Sequence, residues 1–147
     1  MTGSIVTCPN CGTRNRITAR RDGVPRCANC HERLPWIVEA DAAGFDAELE
    51  ASVPVVVDLW APWCAPCRSI APVVEDFARS HAGDIKLVKL DIDTAPQIAA
   101  RYEVRGIPLL LVLVDGQEVD RLAGAPPKPD LEAWLQRQLG ARAEAGA

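Results

Sequence analysis

All six cysteines of this chain occur in three Cys-x-x-Cys pairs, and this pattern constrains the fold more than any other feature. Two of the pairs lie in residues 1–35, a stretch too poor in large apolar side chains to build a core of its own. Their spacing, Cys-x2-Cys-x15-Cys-x2-Cys, is typical of tetrahedral zinc sites. The sequence therefore predicts one structural zinc ion in a zinc ribbon, with these ligands: Cys8, Cys11, Cys27 and Cys30.

Two other interpretations of these four cysteines stay open. They could form two disulfides, which a reducing compartment disfavours. The run from Cys27 to His31 also matches the Cys-x-x-Cys-His pattern of haem attachment. Haem would leave the first pair unexplained, and the only methionine is Met1, so no ordinary thioether ligand remains. We expect no haem and interpret His31 as a surface residue.

Inside this first segment, a short hairpin is predicted between residues 14–17 and 24–26. The Asp22-Gly23 dipeptide between them is a common two-residue hairpin turn.

The composition is that of a globular chain: 147 residues, 48% hydrophobic and 24% charged. The longest apolar run, residues 109–114, is too short to cross a bilayer. Residues 1–11 lack the apolar core of a signal peptide. We therefore expect a cytoplasmic protein with no membrane partner, in which cysteines bind metal or do chemistry.

The net charge of −4 is unevenly distributed. Six arginines against two acidic residues give residues 1–35 a net charge of +4, which leaves −8 for the remainder. A basic end can contact nucleic acid. It can equally offset the negative charge of a zinc ion held by four thiolates, so no nucleic-acid partner is expected.

The rest of the chain alternates strand-like and helix-like segments. Strands are predicted at 37–38, 53–60, 85–91, 109–114 and 118–122. Helices are predicted at 45–51, 64–81, 94–102 and 128–139. Thr94 is the expected cap of the third helix, and Pro72 is expected to kink the second. This order implies an α/β fold: a mixed sheet with helices on both faces.

The third pair, Cys64 and Cys67, directly follows a strand and starts a helix. Unpaired N–H groups and the positive end of the helix dipole face the first thiol there. Both favour the thiolate, which is the attacking form of cysteine. This context makes redox chemistry the leading interpretation and a purely structural disulfide the alternative.

Residues 37–140 resemble a thioredoxin. Val57 to Cys67 is similar to the active-site segment of that family, and Arg105 to Pro108 to its cis-proline loop. The cysteine-rich extension resembles the thioredoxin-2 type. The resemblance implies a thioredoxin fold, a mixed central sheet flanked by helices, in residues 36–147. A zinc-ribbon domain would occupy residues 1–35.

The resemblance and the chemistry together imply roles for the site residues. Cys64, expected to be the more exposed thiol, attacks a substrate disulfide, and the shielded Cys67 resolves the mixed disulfide. Pro66 restricts the ring between them. Asp58, a carboxylate in an apolar strand, should have a raised pKa and accept the Cys67 proton. Lys89 matches the family's lysine near that aspartate.

The resemblance also implies a flat apolar surface for extended substrates. Its members are Trp63, Pro66, Ile107, Pro108 and Gly124. Ala65, where the family most often has glycine, is a departure that could shift the reduction potential.

The leading prediction is a protein-disulfide reductase that acts on oxidised proteins as a monomer, without a bound nucleotide. In the family, an NADPH-dependent thioredoxin reductase recharges the dithiol. One alternative is a disulfide isomerase or oxidase, which needs a more oxidising pair. The other is a zinc-based redox sensor or binding module.

Overall fold

The structure, a computed structural model, describes residues 4–18 and 23–140. Its strands are β1 Ser4–Thr7, β2 Arg14–Ile17, β3 Ile37–Ala40, β4 Val55–Trp60, β5 Lys86–Asp91, β6 Leu109–Val114 and β7 Gln117–Ala123. Its α-helices are α1 Phe45–Glu48, α2 Ala65–Ser80, α3 Pro96–Arg101 and α4 Lys128–Gln138. In the part of the chain described, no helix is both long and apolar enough to cross a membrane.

Strands β3 to β7 form one mixed sheet in the order β3-β5-β4-β6-β7. The first three run parallel, and β6 and β7 are antiparallel to their neighbours. Because side chains alternate between the faces of a strand, β4 packs Val56 against α2 and α4 on one face. Its neighbours Val55 and Val57 pack on the other face, with Phe45 of α1 and Ile98 of α3. The predicted α/β class with helices on both faces is confirmed.

The predicted start of the third helix is wrong. Residues Ile92–Thr94 form a separate 3-10 turn, and α3 begins after Ala95. Pro96 takes the first helical position, where its missing N–H costs nothing and its fixed φ suits a helix. The Thr94 hydroxyl instead donates to the Asp91 carbonyl at 2.9 Å. By contrast, Pro72 lies inside α2 without ending it.

The predicted hairpin between residues 14–17 and 24–26 is also wrong. Strand β2 pairs with β1, and Arg26 forms an isolated bridge with Arg33. The reason is that each cysteine pair itself turns the chain: the N–H of Gly12 donates to the Cys8 carbonyl, and that of His31 to the Cys27 carbonyl. Asp22 of the predicted turn lies outside the described residues.

The cysteine-rich segment, residues 4–18 and 23–34, is called the ribbon, and it packs on the face of the sheet that carries α1 and α3. Ile17 and Leu34 are buried in one cluster with Phe45, Leu49 and Val55. We call this group the shared cluster. The ribbon and the sheet therefore bury apolar surface together.

Polar contacts place the ribbon at one end of the sheet. The Ser52 hydroxyl, just before β4, donates to the Gly23 carbonyl at 2.8 Å. Just before β5, Arg33 pairs with Asp84 at 3.6 Å and lies over Gly83, where a Cβ would overlap its side chain. These contacts lie at the starts of the parallel strands. The third cysteine pair follows the end of β4, so these ribbon contacts and the Cys64–Cys67 pair lie at opposite ends of the sheet.

Candidate active site

Cys64 and Cys67 form a disulfide at the start of α2. The pair lies shortly after the end of strand β4. Cys64 is the N-cap residue of α2, and Cys67 lies in its first turn. The two residues are 3% and 2% exposed. Exposure therefore barely separates the two sulfurs in the oxidised state, and their positions along the helix distinguish them.

The backbone of α2 already supports the first sulfur. The Cys67 N–H donates to the Cys64 Sγ at 3.2 Å. This donor is one of the N–H groups that a helix start leaves without a backbone partner. A thiolate at this atom would be stabilised by the hydrogen bond and by the helix dipole.

A cleft beside the start of β6 shares Ile107 with the surroundings of the disulfide. Ile107 packs against the cluster of Ala61, Cys64 and Cys67, and the Ile107–Pro108 peptide bond is cis, as the resemblance predicts. Ile107, Pro108 and Gly124 line a cavity of about 520 Å³. The Gly124 N–H donates to the Pro108 carbonyl at 2.9 Å. Three of the five predicted docking residues thus meet in one cleft.

The other two predicted docking residues, Trp63 and Pro66, do not line this cavity. Both are exposed, and Trp63 is 66% exposed. The Trp63 indole Nε1 donates to Asp93 Oδ2 at 2.9 Å, so a polar contact holds this large ring at the surface. The sequence prediction did not include Asp93, which belongs to the 3-10 turn that replaced the predicted helix start.

Asp58 is buried in the middle of β4, with 1% exposure. Its Oδ1 atom has no hydrogen-bond partner among the described residues. Burial raises the pKa of this carboxyl to about 6, against the lowering effect of Lys89. Asp58 is opposite Lys89 in the β4–β5 register, but the Lys89 Nζ pairs with Glu75 Oε2 at 2.8 Å.

Replacing Asp58 with asparagine should stabilise the oxidised protein by about 3 kcal/mol at pH 7, because the variant no longer buries a charge. The native carboxyl keeps its proton up to about pH 6, whereas the unfolded carboxyl loses it near 3.8. Burying the neutral carboxyl therefore costs no ionisation energy below about pH 4. The folded protein loses stability as the pH rises from about 4 through about 6. Urea unfolding at pH 4 and pH 7 measures this. If Asp58→Asn were stabilised over the wild type by the same amount at both pH values, the raised pKa of Asp58 would be contradicted.

The four cysteines of the ribbon converge on one point. Their Sγ atoms all lie within 4.8 Å of one another. The Cys8–Cys30 and Cys11–Cys27 sulfurs are 3.6 and 3.5 Å apart. Four sulfurs placed 2.3 Å from a central ion would be about 3.8 Å apart. The spacing fits a tetrahedral metal site, so these residues could hold a metal ion.

Side-chain amides surround these sulfurs, and the sequence prediction did not identify them as donors. Asn10, Asn15 and Asn29 each donate to a cysteine Sγ, at 3.4, 3.5 and 3.5 Å. The Asn15 Oδ1 also accepts from the Ala28 N–H at 2.9 Å, which ties the two halves of the ribbon together. Such donors favour the thiolate form that a metal requires.

A mixed sheet with a Cys-x-x-Cys disulfide at a helix start and a cis proline beside it defines a thioredoxin-fold thiol-disulfide oxidoreductase. The Thioredoxin family model matches residues 36–137. Thioredoxin 1 of Synechococcus elongatus is 46% identical over 99 residues, which cover 67% of this chain and 92% of that protein. Thioredoxin of Staphylococcus aureus is 46% identical over 103 residues, 70% of this chain and 98% of that protein.

The chain belongs to the thioredoxin family. Homology assigns its Cys64–Cys67 pair a role in protein-disulfide reduction. The four-cysteine cluster precedes the matched region and is consistent with the zinc-ribbon extension of thioredoxin-2.

Proposed function

We propose that this chain is a general protein-disulfide reductase, recharged by an NADPH-dependent thioredoxin reductase. The supporting observation is the hydrogen bond from the Cys67 N–H to the Cys64 Sγ at 3.2 Å. In the dithiol form this donor would stabilise the Cys64 thiolate, and so select Cys64 as the nucleophile.

In the proposed cycle, the Cys64 thiolate attacks one sulfur of a substrate disulfide. A mixed disulfide forms, and the other substrate sulfur leaves as a thiolate, which takes up a proton. Cys67 then loses its proton and attacks the Cys64 sulfur. The second substrate thiol is released and Cys64–Cys67 becomes a disulfide. The dithiol supplies the two electrons that the substrate gains. Of the two protons that the substrate takes up, one balances the proton lost by Cys67 and the other balances the proton that Cys64 gave to solvent when its thiolate formed.

Asp58 is the proposed acceptor of the Cys67 proton. Its burial, its unpartnered Oδ1 and its raised pKa support this role, because a base works best when its pKa is near the working pH. Lys89 is proposed to tune this carboxyl through its charge. Pro66, in the first turn of α2, is proposed to restrict the ring that the two cysteines close.

The proposed substrate surface combines the cleft of Ile107, Pro108 and Gly124 with the exposed Trp63 and Pro66. An extended segment around the substrate disulfide would pair with backbone groups at the cleft, as strands do at a sheet edge. Ile107 both lines the cleft and packs against the Cys64–Cys67 cluster, which favours this arrangement.

Zinc is the proposed ion of the four-cysteine site, since four thiolates are a usual structural zinc set. A monomer in the cytoplasm is proposed, where thiols stay reduced. The domain boundary at residue 35 also stays a proposal, and the shared cluster spans it.

The test is reduction of insulin disulfides by the wild-type protein, with thioredoxin reductase and NADPH as the electron source. We expect catalysed precipitation of insulin together with NADPH consumption. The reduction potential of Cys64–Cys67, measured against glutathione, separates the reductase from an isomerase or oxidase. A value near or above roughly −180 mV would contradict the reductase.

A further inference from the structure

The charge pattern around Asp58 differs from what the strand register alone predicts. Asp58 and Lys89 are opposite each other on β4 and β5. A buried carboxylate beside a lysine usually pairs with it, because the pair offsets the cost of burial. Here the Lys89 Nζ bonds to Glu75 Oε2 on α2 at 2.8 Å, and Asp58 Oδ1 has no partner in the described part of the chain.

Each carboxylate oxygen of Glu75 pairs with a different cation. Its Oε1 faces Arg79 Nη2 at 3.4 Å, one helical turn later on α2. Its Oε2 holds Lys89, whose ammonium also lies 5.6 Å from the centre of the Trp60 ring. The side chains of Lys89 and Glu75 are only 16% and 24% exposed. A pair so little exposed is weakly screened by solvent and by salt.

We propose that Glu75 is a positioning residue of the dithiol site, which holds the Lys89 ammonium on α2 and so keeps Asp58 free to accept a proton. The proposal rests on the proposed role of Asp58 as the acceptor for Cys67. Glu75 touches neither the disulfide nor the substrate cleft, and acts through the cation that it binds.

The charged groups that act on Asp58 determine how the loss of Glu75 would change the Asp58 pKa. Among the described residues they are Lys89 from β5 and Glu75 from α2, while its β6 neighbour is the uncharged Leu110. The positive charge of Lys89 lowers the pKa of Asp58, and the negative charge of Glu75 raises it. Removing Glu75 should therefore lower the pKa of Asp58 in two ways. It deletes a negative charge, and it frees the Lys89 ammonium to approach Asp58.

The test is a carboxyl-carbon NMR titration of Asp58 in the oxidised, metal-loaded full chain. Glu75→Gln should lower the Asp58 midpoint by about one pH unit. Lys89→Met, which removes the cation, should raise the midpoint. The matched control is Asp76→Asn, the next carboxylate on α2, which is 74% exposed and pairs with Arg79. It should leave the midpoint unchanged.

A second readout is the pH dependence of insulin reduction. In Glu75→Gln its acidic limb should move down with the Asp58 midpoint. An unmoved Asp58 midpoint would overturn the role of Glu75 while leaving the reductase function intact. A midpoint that moves without the rate profile would overturn Asp58 as proton acceptor, and with it this proposal. Opposite shifts in the Glu75 and Lys89 variants, with the rate profile following, support it.

Discussion

A Cys64→Ser variant is expected to lose at least about 100-fold in insulin reduction, because it removes the sulfur that accepts the helix-start N–H of Cys67 and is the proposed nucleophile. Serine keeps the shape of the residue, so the fold and the metal content should be unchanged. Turnover is measured with NADPH and thioredoxin reductase, and metal is quantified in the same samples. Undiminished turnover would contradict the catalytic assignment.

The matched variant is Cys67→Ser, which keeps the proposed nucleophile and removes the resolving thiol. It should accumulate a mixed disulfide between Cys64 and substrate, seen as an adduct on a non-reducing gel and by mass spectrometry. Cys64→Ser should give no such adduct. Adducts of equal amount in both variants would mean that the two sulfurs are interchangeable, which would contradict the proposed order of attack.

Removing the metal ion that the four-cysteine site could hold is expected to destabilise the whole protein rather than the ribbon alone. Ile17 and Leu34 are almost fully buried in the shared cluster. Opening the ribbon would expose both side chains, each worth about 1.5–3 kcal/mol, so the expected loss is about 3–6 kcal/mol. Urea unfolding of the metal-loaded and chelator-treated protein, followed by Trp fluorescence, measures this loss.

Cys27→Ser, which removes a buried ligand, should give the same loss without a chelator. Arg14→Gln is the control, since Arg14 lies exposed on β2 and contributes no sulfur. It should leave both metal content and the unfolding midpoint unchanged. If metal release left the unfolding midpoint where it was, the ribbon would not contribute to the stability of the sheet.

The sequence predicted the main elements because their signals are local. The apolar run of β6 and the helical periodicity of α4 each identify an element without knowledge of its neighbours. The two cysteine sites could be predicted for the same reason. The spacing of the first two pairs indicates a metal site, and the position of the third pair between a strand and a helix indicates a redox site. The predicted strand pairing in the ribbon was wrong because two turn signals lie close together in the sequence. The prediction placed the hairpin at Asp22-Gly23, whereas the structure forms it between β1 and β2, around the Cys8–Cys11 turn.

Interactions between distant segments could not be predicted. Nothing in the sequence separates Glu75 from Asp76, yet only Glu75 reaches Lys89. Lys86 is completely buried, pairs with Glu48 at 3.0 Å and lies 4.5 Å from the centre of the Trp36 ring. A lysine in a strand is usually placed at the surface, and only the packed structure supplies its partners.

The shared cluster has a consequence for how such a chain can change over generations. Phe45 and Leu49 belong to the same apolar cluster as Ile17 and Leu34 of the ribbon and Val55 of the sheet. A lineage that discarded the ribbon would leave these side chains uncovered, and an uncovered apolar patch promotes aggregation. A chain without the ribbon would therefore need polar side chains on the α1 face.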